Sequence, residues 1–288
     1  MATAREIQRR IRSVSNMSQV TRAMEMVSAA KMRKAQQRVL ASRPYSERLE
    51  AVIADLASLN LDPEHAAAFP LLQQREVKRS ALIVITPDRG LNGALNSNIV
   101  RRASRYILSE ANVPVEVIAA GKKGRDFMVR TQQDVVAAFV GLGDNVSLDD
   151  VRPIADVALT DFYAGKVDAV FVVFAEYVNT ITQRPEVRQL LPITQPEEAG
   201  TYTDYIFEPS PEAVLRDLLP RYIEIQLYQA ILESTASEHS ARMVAMRNAS
   251  ENAKELAGDL RLSLNKARQA QITREVSEIA AGANAANA

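Results

Sequence analysis

The fold is decided by the stretch HSARMVAMRNASENAKELAGDLRLSLNKARQAQITREVSEIAA, residues 239–281. Between Glu212 and Ala281 the only helix breakers are Pro220 and Gly258. A helix of roughly 60 residues is on the order of 90 Å long, whereas a compact chain of this size has a radius of gyration of only about 19 Å. The sequence therefore predicts a helix that extends beyond its own domain and needs a partner to bury its apolar positions.

The amino-terminal segment is also predicted to form a long helix whose apolar face needs a partner. Residues 1–43 contain neither glycine nor proline, and Pro44 is the first interruption. Apolar residues recur there at the spacing of one helical face; they are Ile7, Ile11, Val14, Met17, Val20, Met24 and Val27. We predict that the two terminal helices pair as an antiparallel coiled coil. Part of the second seam is expected from Ala253, Leu256, Leu260 and Leu264.

The sequence between these helices has a different pattern. Short β-rich runs at 81–86, 115–120 and 167–174 alternate with amphipathic segments near 94–111 and 147–164. This order predicts βαβ units and a mostly parallel sheet. Residues 177–182 and 187–193 are expected to add the strands of a final hairpin or sheet edge.

The predicted fold class is therefore α/β, with a Rossmann-like head inserted between the arms of a long coiled coil. The first helix of the coil is expected over residues 1–58, the head over 75–195 and the second helix over 208–284.

Composition excludes several classes of function. The chain has no cysteine, which removes disulfides, thiolate metal sites and cysteine nucleophiles. Its two histidines, His65 and His239, are far apart in sequence, so a histidine-based metal site is disfavoured. No run approaches the roughly 18 apolar residues of a membrane span, and the first residues lack the apolar core of a signal peptide. We expect a cytosolic protein without membrane insertion.

Glycine-rich loops in the predicted head do not match known nucleotide-binding spacings. Residues 87–93, PDRGLNG, follow a strand where backbone amides can bind an anion, but no Gly-Lys-Ser/Thr ending is present. Residues 121–124 and 141–143 are more typical of turns. Asp88 and Arg89 have no activated nucleophile or base beside them in the sequence. We expect no catalytic residue, no cofactor and no metal in this chain.

Charge is unevenly distributed. Residues 1–50 hold 11 Lys and Arg against 4 Asp and Glu, whereas residues 51–238 hold 17 against 26. A basic rod on an acidic head suits an acidic protein surface or a nucleic acid. Aromatic stacking residues are scarce in the terminal helices, which disfavours nucleic acid. From the residues alone, a coiled-coil scaffold or tether and a nucleic-acid clamp both remain open.

Both ends of the chain resemble the γ subunit of F-type ATP synthases, the central rotor shaft, in its bacterial type. The resemblance lies in IQRRIRSVSN (7–16), TRAMEMVSAAKMR (21–33) and the run from Met243 to Ile279. The family's loop usually reads Asp-Arg-Gly-Leu-Cys-Gly-Gly, whereas here Asn92 and Ala94 replace the Cys and the last Gly.

The resemblance implies a shaft in the axis of a hexamer of three α and three β subunits, resting on the ring of c subunits with the ε subunit beside it. Ion flow through the c ring, of protons or sodium, would then turn the shaft and drive ATP synthesis or hydrolysis. The chain itself would be non-catalytic, since the catalytic sites of the family lie in the β subunits. It would be a peripheral protein on the cytoplasmic face of the cell membrane.

Residues matching the family's contacts with β fall into two groups. Those near the top of the shaft, which would hydrogen-bond a β loop, are Arg268, Gln269 and Thr273. Those near the acidic lever loop of β are Arg242, Met24 and Arg89. A solvated helix charge would also explain Arg268, and coil packing would also explain Met24.

Two further sets are carried over from the family. Tyr205 and Glu208 match the foot that touches the c ring and ε, although an edge strand followed by a turn would look the same. An apolar bearing surface near the end of the chain would comprise Ile272, Val276 and Ile279, residues that a coiled-coil seam would equally require.

Overall fold

The computed structural model describes residues 3–58, 69–194, 208 and 210–286. Its helices are α1 (Ala4–Ser58), α2 (Leu95–Arg105), α3 (Lys122–Arg130), α4 (Leu148–Tyr163) and α5 (Pro211–Ala286), with a 3-10 turn at Pro70–Leu72 and a π-helical turn at Tyr106–Glu110. Its strands are β1 (Ser80–Ile85), β2 (Val115–Ala120), β3 (Asp134–Phe139), β4 (Ala169–Tyr177) and β5 (Gln183–Leu191). The long terminal helices and the central mixed sheet confirm the predicted fold class.

The chain divides into two compact units. The coil unit contains Met1–Ser28 and Met243–Ala288, and the head unit contains Ala29–Arg242. In the part of the chain that the structure describes, no helix combines the length and the apolar character needed to cross a bilayer.

The head unit is built on one five-stranded sheet with the order β3-β2-β1-β4-β5. The first four strands in that order are parallel, and β5 pairs antiparallel with β4. Helices α2, α3 and α4 connect successive parallel strands, as the βαβ prediction required. The carboxyl ends of β1, β2 and β3 therefore lie at one edge of the sheet.

Burial on both faces of the sheet explains why β1 is apolar from Ala81 to Ile85. Leu82 and Val84 pack on one sheet face with Ile99 of α2, whereas Ile83 and Ile85 pack on the other with Ile154 of α4. All of β1 is buried, because helices cover both faces of a parallel sheet.

Two details of the head differ from the sequence prediction. The strand expected over 177–182 is wrong: β4 ends at Tyr177, and the Asn179 side-chain oxygen accepts hydrogen bonds from the amides of Ile181 and Thr182, which makes a turn. The elements α3 and β3 were not predicted. Strand β3 lies at the sheet edge with alternately exposed residues, although residues 135–140, VVAAFV, form a continuous apolar run like those of the buried strands.

Pro44 does not interrupt α1, which continues to Ser58. After Pro44, the helix buries Leu49 and Ile53. Both residues belong to the main core of the head unit. Proline removes one backbone donor and disfavours a helix interior, but burial of this apolar face outweighs that cost. Within the same unit Ala35 and Val39 of α1 pack against Leu232 and Ala236 of α5.

The coil unit pairs α1 and α5 in antiparallel orientation, since Ser18 contacts Ser250 and Glu25 contacts Arg247. Helix α1 begins with a capping box, in which the Thr3 amide donates to Glu6 Oε2 (2.9 Å) and the Glu6 amide donates to Thr3 Oγ1 (3.3 Å). This cap fixes the start of α1 at Ala4.

The seam of the coil unit follows a heptad spacing that only partly matches the prediction. The buried or half-buried residues at this spacing are Ile7, Ile11, Val14, Ser18, Thr21, Glu25 and Ser28 on α1, and Met246, Ser250, Ala253, Ala257, Leu260, Leu264 and Ala267 on α5. The predicted seam residues Met17, Val20, Val27 and Leu256 are instead 59%, 59%, 55% and 49% exposed. Small polar residues occupy the seam at its middle, so apolarity alone indicates the wrong face there.

Candidate partner-binding surfaces

An apolar face of α1 points away from the seam of the coil unit. Met17, Val20 and Val27 lie at helical spacing on it, and each exposes more than half of its surface. Met24 shares the spacing but is half-buried, which fits the coil-packing alternative in part. Large apolar side chains grouped on one exposed face are typical of a surface that another protein covers.

The end of α5 has no helix packed along it within the described part of the coil unit. Every side chain described from Arg268 to Ala281 is exposed. Ile272, Val276 and Ile279 are 52%, 59% and 72% exposed. These three residues are therefore not part of a seam with α1, which removes the alternative explanation for them. They lie on one helix face and offer an apolar stripe to a partner.

Polar residues border this stripe. Arg268 lies one helical turn before Ile272, and among the described residues it makes no ion pair. The Thr273 hydroxyl donates its proton to the backbone oxygen of Gln269 (3.0 Å), so this exposed hydroxyl can only accept further hydrogen bonds. The side chains of Arg268 and Gln269 keep their donors available for another molecule.

In the head unit, the Arg242 side chain forms an ion pair and hydrogen bonds with other residues of that unit. One of its terminal nitrogens lies 2.5 Å from Glu238 Oε1 and 3.3 Å from the Gly90 backbone oxygen. Only 11% of the Arg242 side chain is exposed, whereas the neighbouring Arg89 is exposed. Burial raises the pKa of the Glu238 carboxyl, and the Arg242 charge opposes that shift.

The sequence patterns described above did not predict this network. The spacing of Glu238 and Arg242, four residues apart on a helix, was a usable signal for the ion pair. The contact with Gly90, by contrast, joins positions far apart in the chain. The hydrogen bonds from Arg242 to the Gly90 backbone oxygen anchor the loop of residues 88–91, in which Arg89 is exposed.

The carboxyl ends of the parallel strands are the usual ligand position of an α/β sheet. Here the Asp88 carboxylate accepts hydrogen bonds from the amides of Lys122 (2.7 Å) and Gly141 (2.8 Å). Gly121 lies beside it with φ 120°, and a Cβ atom there would lie 1.8 Å from the Thr86 backbone oxygen. The protein's own carboxylate thus takes the donors that a phosphate would use at the start of α3.

His239 is buried beside a small charged group in the head unit. Its Nε2 lies 3.2 Å from Asp144 Oδ1, outside hydrogen-bonding geometry, and Lys31 Nζ lies 2.7 Å from Asp144 Oδ2. Burial lowers the pKa of His239. Across the described residues, no three His, Cys, Asp or Glu side chains are grouped closely enough to hold a metal ion.

The proposed foot is only partly placed. Glu208 is exposed. Tyr205 lies outside the described residues.

Comparison with known proteins gives a match over nearly the whole chain. The family model described as "ATP synthase" matches residues 3–286. The ATP synthase gamma chain of Roseiflexus sp. (strain RS-1) is 56% identical over 289 residues, covering 99% of both chains. That of Chloroflexus aurantiacus (strain J-10-fl) is 52% identical, again covering 99% of both chains.

Two solved structures share the fold. A chain of the Tetrahymena thermophila mitochondrial ATP synthase central stalk and c-ring is 25% identical with a TM-score of 0.61, covering 80% of this chain and 99% of that one. A chain of the Euglena gracilis mitochondrial ATP synthase (OSCP/F1/c-ring, rotational state 3) is 22% identical with a TM-score of 0.71, covering 98% and 94%.

Proposed function

The chain belongs to the family of ATP synthase gamma chains, and we propose that it is the central rotor shaft of such an enzyme. It is a non-catalytic subunit of a membrane-bound complex. Identity above one half along the full length of bacterial gamma chains is the observation that carries this proposal. A scaffold or tether and a nucleic-acid clamp would not account for that match.

The partners we propose are the three α and three β subunits of the catalytic sector, the ε subunit and the c ring. Support comes from the solved relatives, which are chains of ATP synthase stalk, F1 and c-ring assemblies. The exposed stripe at the end of α5 supplies a surface for such partners. We place the ATP-hydrolysing and ATP-forming sites in the β subunits and the chain on the cytoplasmic face of the membrane.

The proposed mechanism is that of a cam. A shaft that contacts each β subunit differently stabilises a different conformation of each, because only a differential contact shifts a conformational equilibrium. The two surfaces of the coil unit are chemically unlike: α1 offers Met17, Val20 and Val27, whereas the end of α5 offers Arg268 and Gln269 beside an apolar stripe. Rotation driven by proton or sodium flow through the c ring would present these surfaces to each β in turn.

The upper contact is tested at Arg268 and Gln269. A charge-assisted hydrogen bond from Arg268 to an acidic group of β would contribute on the order of 1.5 to 3 kcal/mol in the rotary positions where it forms. We expect Arg268→Ala or Gln269→Ala to slow multisite ATP hydrolysis by the reconstituted α/β/γ complex while slow single-site hydrolysis is kept.

Lys266→Ala is the matched control, since Lys266 is exposed on the same helix and the family contact is not carried over to it. Arg247 is unsuitable as a control because its Nε lies 3.1 Å from Glu25 Oε1 in the coil unit. Equal slowing of multisite hydrolysis by Arg268→Ala and Lys266→Ala, or no slowing by Arg268→Ala, would contradict a specific contact at Arg268.

The lower contact is tested at the foot. If Tyr205 and Glu208 touch the c ring, replacing both with alanine lowers ATP-driven ion pumping in membranes and leaves ATP hydrolysis nearly intact. Both activities are measured in the same membranes. Parallel loss of pumping and hydrolysis would contradict the assignment.

A further inference from the structure

Four arginines of the coil unit line one open groove. Arg5, Arg9 and Arg12 follow each other on one face of α1, and Arg261 faces them from α5. The remaining lining side chains are uncharged: Gln8, Ile11, Ser15 and Asn16. The groove therefore carries four positive charges and no negative one.

None of these charges is neutralised within the described part of the chain. No ion pair joins Arg5, Arg9, Arg12 or Arg261 to any described residue, and all four are exposed. The only acidic residue among positions 1–24 is Glu6. Its carboxylate accepts the Thr3 amide in the capping box, so it serves the helix start instead of the groove.

This arrangement opposes the stability of the isolated helix. The amino-terminal end of a helix carries partial positive charge, which disfavours cations and favours anions there. Arg5 and Arg9 lie in the first two turns of α1, which begins at Ala4. Guanidinium groups placed together at the positive end of a helix without counter-charges are typical of a surface completed by an anionic partner.

We propose that this arginine groove binds an acidic peptide segment of the subunits that surround the shaft. The inference rests on the proposed function. Guanidinium groups bind carboxylates bidentately, so four of them fit a segment with several Asp or Glu residues. No aromatic side chain lines the groove, whereas single-stranded nucleic acid is bound through aromatic stacking.

The test uses the full chain and purified α and β subunits. Arg9→Gln with Arg12→Gln removes two charges from the groove. Arg10→Gln with Arg22→Gln is the matched control, because both arginines are exposed on α1 and neither lines the groove. Association is measured at low and at high salt, and circular dichroism checks that helix content is unchanged.

The groove variant is expected to associate roughly tenfold more weakly at low salt and to show a shallower dependence on salt concentration. The control variant is expected to keep most of the affinity. Equal weakening in both variants, or none in the groove variant, would overturn the inference while leaving the shaft function intact. Failure of the unchanged chain to associate would overturn the shaft function itself. Loss of duplex DNA binding in the groove variant, with association unaffected, would assign the groove to nucleic acid instead.

Discussion

Ser18 and Ser250 exchange hydrogen bonds across the coil unit, each hydroxyl oxygen lying 3.2 Å from the backbone oxygen of the other residue. Both serines are buried, at 8% and 4% exposure. Small side chains let two helix backbones approach closely, and polar groups inside a seam fix its register. This pair therefore sets the alignment of α1 against α5 within the coil unit.

Ser250→Leu is expected to destabilise the coil unit by about 1 to 3 kcal/mol, because the larger side chain overfills a closely packed seam. Hydrogen exchange of amides in residues 243–267 measures the effect. Ser13→Leu is the control, since Ser13 is exposed on α1. Similar protection in both variants would show that the Ser18 and Ser250 contact does not set the packing.

Arg242→Ala is expected to lower the free energy of unfolding by about 3 kcal/mol, because it leaves the largely buried Glu238 carboxylate without its counter-charge. Arg242→Lys keeps the charge but loses the fork that reaches both Glu238 and Gly90, so an intermediate loss is expected. Denaturant unfolding measures both variants. Arg89→Ala, at an exposed position, is the control and should change stability by less than about 0.5 kcal/mol. Equal effects at Arg89 and Arg242 would contradict the role given to Arg242.

His239 is expected to make the head unit less stable in acid. Burial lowers its pKa below the ordinary value of 6.5, so the folded chain binds fewer protons than the unfolded chain. The stability that His239 contributes is present above pH 6.5 and is lost as the pH falls from that value through the lower pKa of the folded chain. His239→Leu should therefore show a smaller loss of unfolding free energy between neutral and mildly acidic pH. An unchanged pH profile in the variant would show that other groups dominate the acid response.

The isolated chain is expected to self-associate through the exposed apolar face of α1. Met17→Gln with Val20→Thr should reduce association in sedimentation experiments without loss of unfolding free energy, because both side chains are more than half exposed. Ile7→Gln is the contrasting variant: Ile7 is 8% exposed in the seam, so its replacement should cost stability. If the Met17 and Val20 variant associates as strongly as the unchanged chain, self-association does not depend on this face of α1.

The amino-acid sequence by itself determined the element types. Long runs without glycine or proline require helices at both ends, and apolar β-rich runs alternating with amphipathic segments require a mostly parallel sheet. These patterns depend on local periodicity, so they are readable without coordinates. The motifs at both ends also carried the family resemblance, because they keep residue identities over dozens of positions.

The tertiary structure decided which face of each helix is buried. Periodicity assigned Met17, Val20 and Val27 to the seam, but the seam uses Ser18, Thr21 and Ser28, because close helix packing there selects small side chains over apolar ones. The resemblance matched Arg242 to a family contact with β but carried no information on its pairing with Gly90, which depends on two segments that only folding brings together. Burial and long-range pairing are properties of the packed chain, and local sequence spacing does not encode them uniquely.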